Sequence, residues 1–341
     1  MLFPEKWIAY FTDMKGLLFL IGICISVSTS AQKLISFQGK AQGTYYIVKY
    51  ISNDTGSLRE DVEDLFRQID RSMSLYLPSS LINRFNKGPQ VVMDHHMRTV
   101  VRKAQEVSKL TNGLFDITIK PLVDLWGFGV VRHNGQPSQA DIARKRRLVD
   151  YNMLTVRTKY LIKKREGMEI DCNGIAQGYT SDAVGRLLHA MGIHNFLVDV
   201  GGELVASGVN TQGQPWSVGI ERPPDTDSTS QPVQALLRLK NKGVATSGNY
   251  QRFFDEGGTR FAHTIDPRTG QALHNNIISV TVTAPDAMTA DAFDNVLIIL
   301  GVDAGLQFIS EHPKLKLQAF YVYKDDAGKV REKYSPDFFA E

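Results

Sequence analysis

Apolar and polar positions alternate along this chain in two periods, and the places where one period gives way to the other mark its elements. The run TYYIVKYI at 44–51 is dense in β-branched and aromatic residues and predicts a strand, with the polar SNDTGS as its loop. Leu58, Val62, Leu65, Phe66, Ile69 and Met73 then recur three and four residues apart, on one helical face. Ser57 and Glu60 stand at capping-box spacing, so a helix is predicted over 57–71. Residues 74–88 lack either period and read as irregular. A second helix is expected over 98–110, stopped at Asn112 and Gly113. Pro121, Gly127 and Gly129 break 114–129 into more than one piece, and HNGQPSQAD at 133–141 reads as a polar connection.

Residues 153–156 and 160–164 suggest a hairpin leading to an apolar strand that ends at Ile170. Ile175, Tyr179, Ala183, Leu187 and Met191 follow at helical spacing, with Gly192 as the stop. FLVDVGGELVASG at 196–208 reads as two strands about Gly201 and Gly202; a tight turn explains the glycine pair as well as phosphate binding does. Residues 221–232 have the composition of a flexible surface loop. Further strands are expected at 233–239, 260–264 and 277–283, and a helix in APDAMTADAFDNVLIILG at 284–301. Mixed helices and several hairpin-like pairs predict an α+β fold with mainly antiparallel sheets.

Two junctions carry candidate chemistry. In DCNGIAQGYTSD at 171–182 a helix begins near Asn173, and its first turn offers backbone N–H groups and a dipole suited to phosphate, with Gly174 allowing close approach. An N-capped core helix is the competing reading. In the helix at 284–301, Asp291 and Asn295 stand four apart on one face, two oxygen ligands suited to a hard cation such as Mg2+ or simply a solvated face. Helical geometry turns Asp294 elsewhere. Trp126 and Phe128 about Gly127 are either core or the wall of a pocket for a planar ring.

Composition narrows the picture. The 341 residues are 43% hydrophobic and 22% charged, the balance of a globular protein, and 39 basic against 36 acidic side chains leave +3, too little to argue for nucleic acid. Lys15 followed by LLFLIGICISV and STSAQ fits a secretory signal over 1–31 cleaved near Ala31, since eleven apolar residues are too few to span a bilayer. Met14 is the expected start of that signal, and residues 1–13 read as an over-extended start. An exported, periplasmic domain over 32–341 is expected, with attachment to the inner membrane left open; Ile23 before Cys24 does not favour lipidation. Removal of the signal leaves Cys172 as the single cysteine, read as a small core residue rather than a nucleophile.

Eight stretches in order, AQGTYY at 41–46, SLYLPSSLINRFN at 74–86, GLFDITIKPLVDLWGFG at 113–129, DCNGIAQGYTSD, DVGGELVASG at 199–208, ATSGNY at 245–250, HTIDPRTG at 263–270 and TADAFDN at 289–295, closely resemble the FAD:protein FMN transferases, the ApbE family. The resemblance covers nearly all of the mature chain and implies a T-fold-like architecture. It also implies an enzyme that uses FAD and Mg2+, attaches FMN to a Ser or Thr hydroxyl of an acceptor flavoprotein, such as a membrane redox subunit, and releases AMP. By resemblance, Gln42, Tyr76, Trp126, Gly127, Phe128, Asp171, Gln177 and Ile265 contact FAD. The Gly174 carbonyl, Asp291 and Asn295 hold the metal, and His263 is the candidate for assisting deprotonation of the acceptor hydroxyl. The family usually has Met in place of Gln42, an acidic residue or Lys in place of Gln177, and Thr in place of Asn295. Tyr76 favours transfer over hydrolysis, since members with another residue there can act as FAD pyrophosphatases. Besides hydrolysis, a non-enzymatic flavin-binding protein is the remaining alternative.

Overall fold

A computed structural model describes residues 32–341 except 55, 131–134, 222–232, 249–252, 257–258, 263 and 340–341, and only the backbone of 253–256 and 259–262. The segment at 1–31 that was read as a signal, the loop at 221–232 beyond Glu221, and His263 therefore lie outside the described residues. Fifteen strands are described: β1 (Lys33–Ala41), β2 (Thr44–Ser52), β3 (Gln90–Val92), β4 (Leu154–Arg157), β5 (Tyr160–Lys163), β6 (Phe196–Val200), β7 (Glu203–Ser207), β8 (Trp216–Glu221), β9 (Val233–Leu239), β10 (Lys242–Gly248), β11 (Phe253–Glu256), β12 (Thr259–Ala262), β13 (Ile277–Ala284), β14 (Gln318–Lys324) and β15 (Val330–Tyr334). The helices are α1 (Arg59–Met73), α2 (Leu81–Lys87), α3 (His95–Leu110), α4 (Lys120–Leu125), α5 (Gln139–Arg146), α6 (Asn173–Ala190), α7 (Ala287–Leu300) and α8 (Val302–Glu311).

Eight strands form one sheet in the order β1-β2-β6-β7-β10-β13-β14-β15, and every described pairing is antiparallel, as the α+β reading expected. Alternation along the strands gives the sheet two apolar faces. Ala319 and Tyr321 of β14 join Val280 and Val282 of β13 in a core with α3, α6 and α7, whereas Phe320 and Val322 face a second core closed by the β8–β9 hairpin and Phe338. Val62, Phe66 and Ile69 of α1 are buried, as the helical period predicted.

Several local readings need correction. The capping box at 57–60 does not form; Ser57 Oγ accepts from the Arg59 amide at 3.3 Å, and the helix begins only at Arg59, behind Leu58 and without a side-chain cap. The second helix starts at His95 because the Asp94 carboxylate caps it, accepting from the Met97 amide at 2.8 Å. Residues 74–88 are not wholly irregular: α2 forms behind Ser80, whose Oγ accepts from the Asn83 amide. The polar connection ends in α5, capped in the same way by Ser138.

Burial sets a pH dependence. The Asp116 carboxyl is pushed up to about 6 and Asp182 to about 7, in each case by burial first, with the Asp286 charge adding to it at Asp182. In the unfolded chain both lose their protons near pH 4, so above that the unfolded state binds fewer protons and stability falls as pH rises toward 7. Urea denaturation without divalent cations is expected to give a lower unfolding free energy at pH 8 than at pH 5; equal values would contradict this.

Candidate active site at the junction of two helices

The approach to α6 is extended but is not a strand. Ile170 N–H donates to Asn86 Oδ1 at 2.8 Å and its carbonyl accepts from Asn86 Nδ2 at 3.0 Å, so one carboxamide replaces a neighbouring strand. Lys163 Nζ donates to the Asn86 carbonyl, and the Asp171 amide donates to the Ile117 carbonyl at 2.7 Å. The strand expected to end at Ile170 is therefore replaced by a side-chain clamp. Asp171, buried here, accepts from the Asn173 amide at 2.7 Å, and the Cys172 carbonyl accepts from the Ile175 and Ala176 amides. The first turn of α6 thus has acceptors of its own for part of its N–H set. Burial also pushes the Cys172 thiol up, in keeping with a core residue.

The backbone at Gly174 leaves helical geometry, with φ −84° and ψ 18°. Four residues on, the Gly178 amide, whose ordinary helical acceptor is the Gly174 carbonyl, donates to Asp291 Oδ2 of α7 at 2.8 Å. A Cβ on Gly178 would stand 2.3 Å from the Ala287 carbonyl oxygen, so the two helices approach as only glycine permits. Asp182 fixes the start of α7 by accepting from the Ala287 and Met288 amides, each at 2.9 Å. Gly243 of β10 lies so close beneath Ala287 that a Cβ would stand 2.1 Å from its amide nitrogen.

The junction gathers acid. Asp291 and Asp294 are buried on α7, and Glu203, at the start of β7, turns in a buried Oε2 that has no hydrogen-bond partner among the described residues. Burial pushes Asp291 up to about 7, and Asp294 and Glu203 well above the carboxylate range, with Asp291 repelling both. Asp294 does not point elsewhere, as its helical position suggested: its Oδ1 accepts from Asn295 Nδ2 at 2.7 Å. The Asn295 carboxamide lies against Gly174, its Nδ2 3.4 Å from where a Cβ would be. No group of three or more His, Cys, Asp or Glu forms a complete metal cage among the described residues. A carbonyl beside a helix kink, a carboxylate and a carboxamide fit the partial oxygen shell of Mg2+, which keeps waters and takes phosphate oxygens, and a cation would compensate the orphaned carboxylate.

Other candidate residues form two further groups. Gln177 Nε2 sits over Gly201 of the β6–β7 turn, where Thr44 also approaches. Gln42, at φ +53° in the adjoining β1–β2 turn, hydrogen-bonds Asp70 of α1. Trp126 and Ile265 are buried in one cluster, with Trp126 Nε1 donating to the Gly270 carbonyl at 2.9 Å. Gly127 has φ +75°, and Phe128 is half-buried beside them. Tyr76 stands 65% exposed on a loop whose carbonyls at Ser74, Leu75 and Leu77 all accept from Asn83 Nδ2. Sequence reasoning missed Asn83, Asn86, Asp182 and Glu203; the only signal was their place inside the quoted motifs, since each acts through a partner distant along the chain or through a loop.

The model of the ApbE family matches residues 42–320. The chain belongs to the ApbE family. It is 34% identical over 336 residues to the FAD:protein FMN transferase of Haemophilus influenzae, covering 93% of this chain and 95% of that protein. It is 32% identical to the Escherichia coli K12 protein of the same name, over 91% and 90% of the two chains. Among solved structures, the apo flavinyl transferase ApbE of Pseudomonas stutzeri superposes with a TM-score of 0.82 at 32% identity, covering 91% of this chain and 98% of that one. Flavin transferase ApbE from Vibrio cholerae gives 0.80 at 30% identity, over 90% and 98%. The architecture expected from the resemblance is the one observed. No helix among the described residues is long and apolar enough to cross a membrane.

Proposed function

We propose that this ApbE protein is an exported, Mg2+-dependent FAD:protein FMN transferase, which attaches FMN to a Ser or Thr hydroxyl of an acceptor flavoprotein and releases AMP. The observation that carries this reading is the meeting of Asp291 and Asn295 with the kinked start of α6 at Gly174 and Gly178. Gly174, Asp291 and Asn295 would hold the cation. When bound, Mg2+ supplies positive charge against the pyrophosphate and orients it.

The chain's own residues then define the reaction. The acceptor hydroxyl oxygen forms a bond to the FMN-side phosphorus as the bond to the AMP oxygen breaks, and AMP leaves. His263 is assigned to take the hydroxyl proton, on the strength of its place in HTIDPRTG. Gln177 and the turn at Gly201 stand beside the start of α6, where the nucleotide phosphates would lie, while Phe128 and the Tyr76 ring offer surface to the flavin. The acceptor would be an exported flavoprotein or a membrane redox subunit.

Intact mass and nucleotide analysis of protein, FAD, Mg2+ and an acceptor domain with a family-type Thr test this reading. One FMN gained per AMP released is expected, stopped by chelation and slowed in His263→Ala. Free FMN with unmodified acceptor would make the protein a pyrophosphatase, and intact bound FAD a carrier. An undiminished rate in His263→Ala would remove that residue from the mechanism. Tyr76 is exposed, so Tyr76→Asn is expected to leave the thermal midpoint unchanged while shifting product from acceptor-bound FMN to free FMN several-fold. An unaltered product ratio would deny Tyr76 that role.

A further inference from the structure

We propose that the basic surface formed by the end of α5 and the exit of β5 docks the acceptor flavoprotein through an acidic face on that partner. The inference rests on the transferase reading above and names the chemistry by which this chain selects its protein substrate. Residues 144–165 hold nine Lys or Arg and one acidic residue, Asp150. That segment carries +8 in a chain of net charge +3, so the rest of the molecule is net negative. A distribution so uneven steers partners by charge.

The fold gathers these charges beside the site. The Arg165 guanidinium donates to the Arg147 carbonyl, and Leu148 lies against Gly167, which brings the end of α5 to the exit of β5. Arg144, Arg147, Lys164 and Arg165 are exposed, and among the described residues only Arg144 of these has an acidic partner, Asp141. Cations in the last turn of α5 complement its dipole, but Lys164 and Arg165 belong to no helix. Like charges held together repel, so the cluster works against stability. Arg146 Nε donates to the Arg268 carbonyl at 2.8 Å and Gln271 Nε2 to Gln139 Oε1 at 2.8 Å, which fastens α5 to the stretch that carries His263. Ile142 of α5 packs in one cluster with Trp126 and Ile265. A protein that brings its hydroxyl to FAD held there meets the basic surface. A bilayer fits that surface less well. A helix lying on a membrane presents apolar side chains beside its basic ones, whereas the one apolar side chain that α5 buries, Ile142, is turned into the protein.

The test measures FMN transfer to two forms of one acceptor domain with a family-type Thr: one has Asp and Glu around that Thr, and in the other those acids are changed to Asn and Gln. At about 20 mM salt, where charges are little screened, Arg147→Glu/Lys164→Glu is expected to raise the KM for the acidic domain about tenfold or more and to leave kcat unchanged. At about 0.5 M salt the rise should shrink to less than about threefold. For the neutralised domain the same variant should change KM less than about threefold, because the charges it would meet are gone. Both side chains are exposed, so the thermal midpoint should not fall. Lys314→Glu/Lys329→Glu makes the same change of net charge at exposed positions flanking β14 and should alter KM less than about twofold. An unchanged KM in Arg147→Glu/Lys164→Glu, an equal rise in Lys314→Glu/Lys329→Glu, or an equal rise for the two domains would overturn the inference while leaving the transferase reading in place. So would loss of sedimentation with phosphatidylglycerol vesicles at unchanged acceptor KM, which would make the surface a membrane contact. If the unaltered protein yields AMP with free FMN alone, the transferase reading falls and takes this inference with it.

Discussion

Asp291→Ala is expected to lose Mg2+-dependent FMN transfer by about a thousandfold or more while remaining folded, the scale lost when a preorganised electrostatic group is removed from a site. Asp291 does two things in the structure. It brings a buried carboxylate to the start of α6, and it accepts from the Gly178 amide at 2.8 Å. Its carboxyl, pushed up to about 7 by burial, is held there against a desolvation cost, and its neighbours Asp294 and Glu203 are raised by burial first, with its charge adding to the shift. Removing it relieves that cost, so without divalent cations the thermal midpoint should be unchanged or higher. Asp291→Asn separates the two contributions: it keeps an acceptor for Gly178 and loses the charge. It too should be inactive, with no stabilisation by Mg2+. Transfer at the wild-type rate in either variant would defeat the metal assignment.

Gly178→Ala is expected to destabilise the protein by about 3 kcal/mol and to slow transfer by about a hundredfold. The added methyl would meet the Ala287 carbonyl oxygen at 2.3 Å and Asp291 Cβ at 2.8 Å, and neither is the free end of a flexible side chain. α6 and α7 must separate to admit it. The start of α7 cannot simply slide away, because Asp182 holds the Ala287 and Met288 amides and β10 lies beneath them at Gly243. Separation therefore moves Asp291 and Asn295 relative to Gly174, and the activity should fall with the stability. A denaturation midpoint equal to that of the wild type would show that the two helices are not held at this distance.

The elements that carry the site were legible because they announce themselves locally. α6 and α7 bury apolar positions at helical spacing, β13 is a short β-branched run, and the pairing of β6 with β7 follows from the two glycines between them. α2 and α5 were not legible, for α2 has seven residues and α5 buries only Ile142, too little in either case to impose a period. The clamp of Asn86 on Ile170 spans 84 positions in the chain, and no local pattern encodes it. Asp291 and Asn295 could be paired from their spacing, but the pairing of Asp294 with its own neighbour could not, because helix periodicity places adjacent side chains about 100° apart. Glu203, half-buried with its Oε2 turned in, was likewise hidden, since in sequence it is one residue of a turn-and-strand motif and the acidic neighbours that act on it most, Asp291 and Asp294, come from α7.

The most direct test of the α6–α7 assignment is a crystal structure of the protein with FAD and Mn2+, with the metal located by its anomalous signal. The expected result is a peak bound directly by the Gly174 carbonyl, Asp291 and Asn295 Oδ1, at about 2.1–2.2 Å, with FAD phosphate oxygens completing its shell. A metal on the phosphates alone, or one bound elsewhere in the chain with Asp291 still on the Gly178 amide and Asn295 turned away, would contradict it.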